Sequence, residues 1–81
     1  MLTIKILGPG CANCRKLDEI ARTAVADLGV DAEIVKITDM AAIIDYDVLK
    51  TPGLVINDKL VCSGRIPTPE SVKEWIRAAA A

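Results

Sequence analysis

The junction between a strand-like segment and a long amphipathic stretch is the feature that most constrains the fold. Residues 2–7 alternate apolar and polar and end in two apolar residues, which is typical of a strand in a covered sheet. A Gly-Pro-Gly turn ends the segment. From Cys11 to about Leu28, apolar residues recur at helical spacing. The sequence therefore predicts a strand followed by a helix, with Cys11 and Cys14 where the two meet.

The following segments extend this pattern into a small layered domain. Ala32–Ile37 is predicted to be a second strand, and the helical crossover places it parallel to the first. Thr38 or Asp39 can cap a short helix that ends at about Tyr46. The expected order up to this point is β-α-β-α.

The C-terminal half predicts a hairpin and a closing helix. Residues 54–56 and 60–62 are apolar and flank Asn57-Asp58, a dipeptide that tolerates the positive φ of a tight turn. These two strands are therefore expected to be antiparallel. Thr68 before a proline predicts the start of a final helix. The full prediction is an α/β domain with the order β-α-β-α-β-β-α.

Length, composition and charge narrow the possible functions. Eighty-one residues predict a single domain over residues 1–81, and with only one Tyr and one Trp its core must be aliphatic. The chain has ten basic and eleven acidic residues, and no run of Lys or Arg forms the basic stripe that binding to a nucleic-acid backbone needs. No apolar run approaches a membrane span and no secretion signal follows Met1. We expect a soluble, cytoplasmic monomer without a nucleic-acid or membrane partner.

The Cys11-Ala12-Asn13-Cys14 motif is the strongest chemical signal. Backbone N–H groups and the helix dipole at a helix start favour the thiolate, so Cys11 is the predicted nucleophile. Cys14 lies one turn further along, within disulfide range, and can resolve a mixed disulfide formed at Cys11. Arg15 and Lys16 add positive charge nearby, although both are most simply solvated residues.

Thr51-Pro52 before the third strand is the second signal. A proline here is compatible with an ordinary strand start. If the Thr51–Pro52 bond is cis and lies beside the cysteines, the preceding backbone can pair with an extended substrate.

These residues and their order resemble the thioredoxin and glutaredoxin superfamily, above all the small redox-active disulfide proteins of archaea and bacteria. The resemblance covers nearly the whole chain. It implies a mixed four-stranded sheet in the order 2-1-3-4 with helices on both faces. It implies thiol–disulfide exchange with Cys11 as nucleophile, Cys14 as resolving thiol, and Gly10, Thr51 and Pro52 at the substrate.

The resemblance also implies partners and marks departures. Partners would be proteins that contain disulfides, and a reductase or small thiol that returns electrons; no cofactor is expected. Thioredoxins proper have Trp-Cys-Gly-Pro-Cys, whereas Ala12-Asn13 separate the cysteines here. The first strand offers Lys5 but no buried acid. Cys62, which a two-residue turn places opposite Gly53, is interpreted as an apolar filler.

Two other functions are compatible with the motif. Paired thiolates also bind copper(I) or zinc, but metal carriers of ferredoxin-like fold follow their first helix with a hairpin. Three cysteines and no histidine cannot close a four-ligand zinc site of thiolates and imidazoles in one chain, so no metal site is expected. A thioredoxin-like module that binds partners without electron transfer is the other alternative.

Overall fold

The chain forms a four-stranded sheet covered by helices on both faces. The structure is a computed structural model that describes residues 2–10, 12–46 and 50–80. The elements in chain order are β1 Leu2–Leu7, α1 Ala12–Leu28, β2 Ala32–Ile37, α2 Met40–Asp45, β3 Gly53–Ile56, β4 Lys59–Ser63 and α3 Pro69–Ala80. This confirms the predicted order of elements.

The sheet has the order β2-β1-β3-β4, as expected. β2 runs parallel to β1, while β3 is antiparallel to both β1 and β4. This pairing aligns the strand ends: Leu7, the last residue of β1, pairs with Ile37 at the end of β2 and with Gly53 at the start of β3. One edge of the sheet collects the C-terminal ends of β1, β2 and β4 and the start of β3.

The helix boundaries have local causes. Gly29, with φ of 64°, follows α1 and ends it in the left-handed conformation. Asp39, rather than Thr38, caps α2, because its carboxylate accepts a hydrogen bond of 3.2 Å from the Ala41 N–H. Thr68 Oγ1 caps α3 by accepting a hydrogen bond of 3.2 Å from the Ser71 N–H.

The hairpin between β3 and β4 departs from the predicted register. Asn57 and Asp58 both have positive φ, as the tight turn requires. An irregularity between Leu54 and Val55 leaves one extra residue in β4, so Leu54 pairs with Cys62 and Gly53 with Ser63. The expectation that Cys62 lies opposite Gly53 was wrong. The extra residue shifts the pairing by one position, which moves the Cys62 side chain to the other face of the sheet.

Two apolar cores lie on the two faces of the sheet. The larger core packs α1 and α3 on the sheet, and its buried members in the described part of the chain are Leu2, Ile4, Ile6, Leu17, Ala21, Ala24, Leu54, Ile56, Cys62, Val72 and Ile76. The smaller core lies under α2 and contains Leu7, Ile43 and Val55. Trp75 is only half-buried and packs at the margin of the larger core.

No helix within the described part of the chain is long and apolar enough to span a membrane.

Candidate active site

Cys14 lies in the first turn of α1, at the edge where β1 ends. Its side chain is buried, with 5 % of its surface exposed. Cys11, the predicted nucleophile, lies outside the described residues. The first turn of α1 contains no acidic residue among those described, so the positive end of the helix dipole is not offset there by a carboxylate.

Gly8 allows this position of Cys14. A Cβ added at Gly8 would overlap the Cys14 Sγ atom, and would lie 3.7 Å from the Thr51 Cβ. The Gly8 N–H donates a hydrogen bond of 2.9 Å to the Ile37 carbonyl, which holds the end of β1 against β2. The missing Cβ of Gly8 thus leaves room for the buried cysteine close to the Thr51 side chain.

The Thr51–Pro52 peptide bond is cis, as the sequence suggested. Pro52 is buried and Thr51 is half-buried. The Pro52 carbonyl accepts a hydrogen bond of 2.9 Å from the Gly64 N–H, which fixes the residues after β4 against the start of β3. The structure thereby brings Cys14 and Thr51 together beside Gly8.

A small cavity of about 30 Å³ opens beside Cys14. Its lining residues are Ile6, Gly8, Gly10, Cys14, Arg15, Lys36 and Thr38. This volume admits a water molecule but not a substrate side chain. Gly10, with φ of 93°, adopts the left-handed conformation on this rim.

Four of these residues, among them Ile6 of β1, were not identified as site residues from the sequence. Gly8 was interpreted only as part of a turn, and Lys36 and Thr38 only as a strand end and a possible helix cap. The available signal was the parallel pairing of β1 and β2, which brings the residues after both strands to one edge of the sheet. Sequence spacing alone does not show which of those residues approach the cysteine.

Lys5 does not line the cavity beside Cys14 and instead contacts Tyr46 and Asp58. Its ammonium group donates a 2.6 Å hydrogen bond to Tyr46 Oη and lies 3.3 Å from Asp58 Oδ1. These two contacts, the Tyr46 hydrogen bond first, raise the pKa of Lys5 above its ordinary value of 10.5. Lys5 thus links α2 to the hairpin turn on the smaller-core face.

Cys62 lies inside the larger core, opposite Leu54. Its Sγ atom lies 3.9 Å from the Arg65 carbonyl oxygen. This placement agrees with the interpretation of Cys62 as an apolar filler.

Comparison with known proteins identifies the family. The family model of the thioredoxin domain matches residues 2–77. The chain belongs to the thioredoxin family. It is 42% identical to a thioredoxin of Methanocaldococcus jannaschii over 78 residues, which cover 96% of this chain and 90% of that protein. A thioredoxin of Methanothermobacter thermautotrophicus is 42% identical over 74 residues, covering 91% and 96%. Thioredoxins are thiol–disulfide oxidoreductases, and the fold and the family agree.

Proposed function

We propose that this chain reduces protein or small-molecule disulfides through a dithiol–disulfide cycle of Cys11 and Cys14. The observation that carries the proposal is the position of Cys14. It is buried in the first turn of α1, against Gly8 and across from Thr51. A sulfur atom at that position is shielded from bulk solvent and lies one helical turn beyond residue 11 in the sequence.

The cycle consists of two exchange steps. The Cys11 thiolate attacks one sulfur of the substrate disulfide, forming a mixed disulfide while the other sulfur leaves as a thiolate and takes up a proton. Cys14 then loses its proton and attacks the Cys11 sulfur, which releases the second substrate thiolate. Two electrons pass to the substrate, and Cys11 and Cys14 are left joined as a disulfide.

The substrate is proposed to lie along Gly10, Thr51 and Pro52. β3 begins its pairing at Gly53, so the Thr51 backbone lies beyond the ladder. Within the described residues, no hydrogen bond to the Thr51 backbone is formed. An extended peptide can therefore pair with that backbone while its disulfide faces the cysteines.

The oxidised protein needs a source of electrons. A reductase or a small thiol would supply them by the same exchange chemistry. We further propose that the whole chain acts as one domain in the cytoplasm, as a monomer.

A trapping experiment with a synthetic disulfide-bonded peptide tests the cycle. The Cys14→Ser variant, in a Cys62→Ala background, should accumulate a mixed disulfide with the peptide that maps to Cys11 and is released by dithiothreitol. The Cys11→Ser variant in the same background should form no adduct, because Cys14 is buried. Mass spectrometry of intact protein and of its peptides measures both outcomes.

An adduct on Cys14 in the Cys11→Ser variant would contradict the assigned roles. No adduct in either variant, together with stoichiometric copper or zinc on the wild-type protein, would favour a metal carrier. A Cys11→Ser protein that retains full biological function would favour a module that binds partners without electron transfer.

A further inference from the structure

The strand topology places basic residues around the site. The site edge comprises residues 36–38, 7–10, 50–53 and 63–65, where the four strands end or begin. Lys36 lies near the end of β2, Lys50 precedes Thr51, and Arg65 follows β4. Arg15 follows Cys14 in α1. Four cationic side chains from four different elements and loops therefore belong to one edge.

Their contacts place them on both sides of the cysteine motif. Arg15 and Lys36 line the same cavity as Cys14. On the other side, the Lys50 Cβ lies 3.0 Å from the position of a Cβ at Gly64, next to Arg65. Because the Gly64 N–H is hydrogen-bonded to the Pro52 carbonyl, Lys50 and Arg65 lie beside the proposed substrate loop. The two pairs thus flank the path assigned to the substrate.

These cations are little neutralised at the site edge. Lys36 forms an ion pair of 3.5 Å with Asp18 but remains 54% exposed. Arg15, Lys50 and Arg65 are exposed and form no ion pair with any residue in 2–10, 12–46 or 50–80. Asp39, one residue beyond this edge, uses its carboxylate to cap α2.

The opposite edge of the molecule has the reverse character. It contains acidic residues at the end of α1, before and within β2, and in the hairpin turn: Asp27, Asp31, Glu33 and Asp58. Two lysines pair with acids of this edge, Lys73 with Asp27 at 3.1 Å and Lys5 with Asp58 at 3.3 Å. The chain as a whole has a net charge of −1, so the positive character of the site edge arises from the distribution of charge.

We propose that this site selects disulfides flanked by carboxylate groups. The inference rests on the proposed function and names its substrate class. A cationic rim raises the local concentration of an anionic substrate and speeds its association, and disfavours a cationic one. Arg15 and Lys36 would attract the groups on one side of the disulfide, and Lys50 and Arg65 those on the other.

Three small disulfides of similar size test the selection. Dithiodiglycolate carries two carboxylates, 2-hydroxyethyl disulfide is neutral, and cystamine carries two ammonium groups. For each, the rate constant of oxidation of the reduced protein is divided by that of 2-mercaptoethanol, which corrects for intrinsic reactivity. The corrected ratio of dithiodiglycolate to cystamine should be about tenfold at low salt, and should fall towards unity in about 0.5 M salt.

Charge reversal supplies the matched comparison. The Arg15→Glu/Lys50→Glu variant should lose or invert the ratio. Lys59→Glu makes the same kind of change on an exposed residue at the opposite edge and should preserve it. Reversal at Arg15 also alters thiolate stability, but that change scales all three reactions alike and cancels in the ratio. Reaction with the neutral disulfide shows that each variant is folded and reactive.

A peptide pair extends the test to protein substrates. Two disulfide-bonded peptides that differ only in Glu or Lys beside the cysteines should show the same preference for Glu. A corrected ratio of unity in wild-type protein, with normal reaction of the neutral disulfide, would overturn the selection and leave the proposed function standing. Failure of all three small disulfides to react would instead overturn the proposed function.

Discussion

The two faces of the sheet are stabilised in different ways. Among the residues that the structure describes, the face under α1 and α3 buries eleven in one apolar cluster. Of the same residues, the face under α2 buries three, and beside them the contact of Lys5 with Tyr46 and Asp58 joins the helix to the hairpin. α2 has six residues, and Met40 and Ile44 on it are 51% and 63% exposed.

This difference separates stability from assembly of the site. The larger core holds α1 on the sheet and thereby fixes Cys14, while the smaller face holds α2, the last element before Thr51. Mutations on the first face should therefore lower the free energy of unfolding most. Mutations on the second should have smaller effects, since the short helix can adjust and solvent is near.

The largest effect is expected for Leu17→Ala in the larger core. Leu17 is fully buried between α1 and the sheet. Truncation removes apolar contacts and leaves a cavity, which should lower the free energy of unfolding by about 3 kcal/mol. Urea denaturation followed by circular dichroism measures it. A loss below about 1 kcal/mol would show that this face does not dominate stability.

Ile43→Ala on the smaller face should cost about 2 kcal/mol, less than Leu17→Ala, because a six-residue helix can settle into the space. Its neighbour Ile44 is the control. At 63% exposure, Ile44→Ala should change the free energy of unfolding by less than about 0.5 kcal/mol. Equal effects of the two variants in urea denaturation would mean that α2 does not pack as described.

Cys62→Ala should lower the free energy of unfolding by about 1 kcal/mol, since it removes one buried sulfur from the larger core. The rate of exchange with a neutral disulfide should stay within twofold of wild type. Denaturation and stopped-flow kinetics on the same preparation measure both quantities. A large loss of exchange rate would give Cys62 a part in the chemistry.

The smallest effect should appear in the pH dependence of Lys5→Met. The pKa of Lys5 is raised in the folded protein, so its stabilising contribution is complete below the unfolded value of 10.5 and is lost as pH rises through the folded pKa. The stability difference between wild type and Lys5→Met should therefore stay constant below that value and shrink as the pH rises above it. The Lys5→Arg variant stays charged, so its free energy of unfolding should fall less steeply with rising pH than that of wild type. A difference that is constant with pH would contradict the contact.

The sequence predicted the larger-core face better than the smaller one for a physical reason. Long periodic segments such as residues 12–28 and 69–80 have many apolar positions that agree with a single face. The short α2 has too few residues for a periodic signal, so Thr38 and Asp39 could not be distinguished as its cap. The bulge in β4 depends on packing of Val61 and Cys62 and has no local sequence signal.

The site was predictable in its residue types but not in its contacts. The positions of Cys14 and Thr51 near one edge follow from strand order once the sheet is known. The close approach of Gly8 to Cys14, and the cavity lined by Lys36, require the tertiary distances. A glycine at a strand end is equally compatible with an ordinary turn. The sequence therefore could not show that Gly8 also leaves room for the Cys14 side chain.

The most direct test of the central claim is a single turnover. Fully reduced wild-type protein is mixed with a slight excess of 2-hydroxyethyl disulfide, quenched with acid, alkylated and mapped by mass spectrometry. The dithiol–disulfide cycle predicts one intramolecular disulfide between Cys11 and Cys14, an unoxidised Cys62, and two equivalents of 2-mercaptoethanol released per protein. Fully reduced cysteines after the reaction, or a disulfide that includes Cys62, would contradict it.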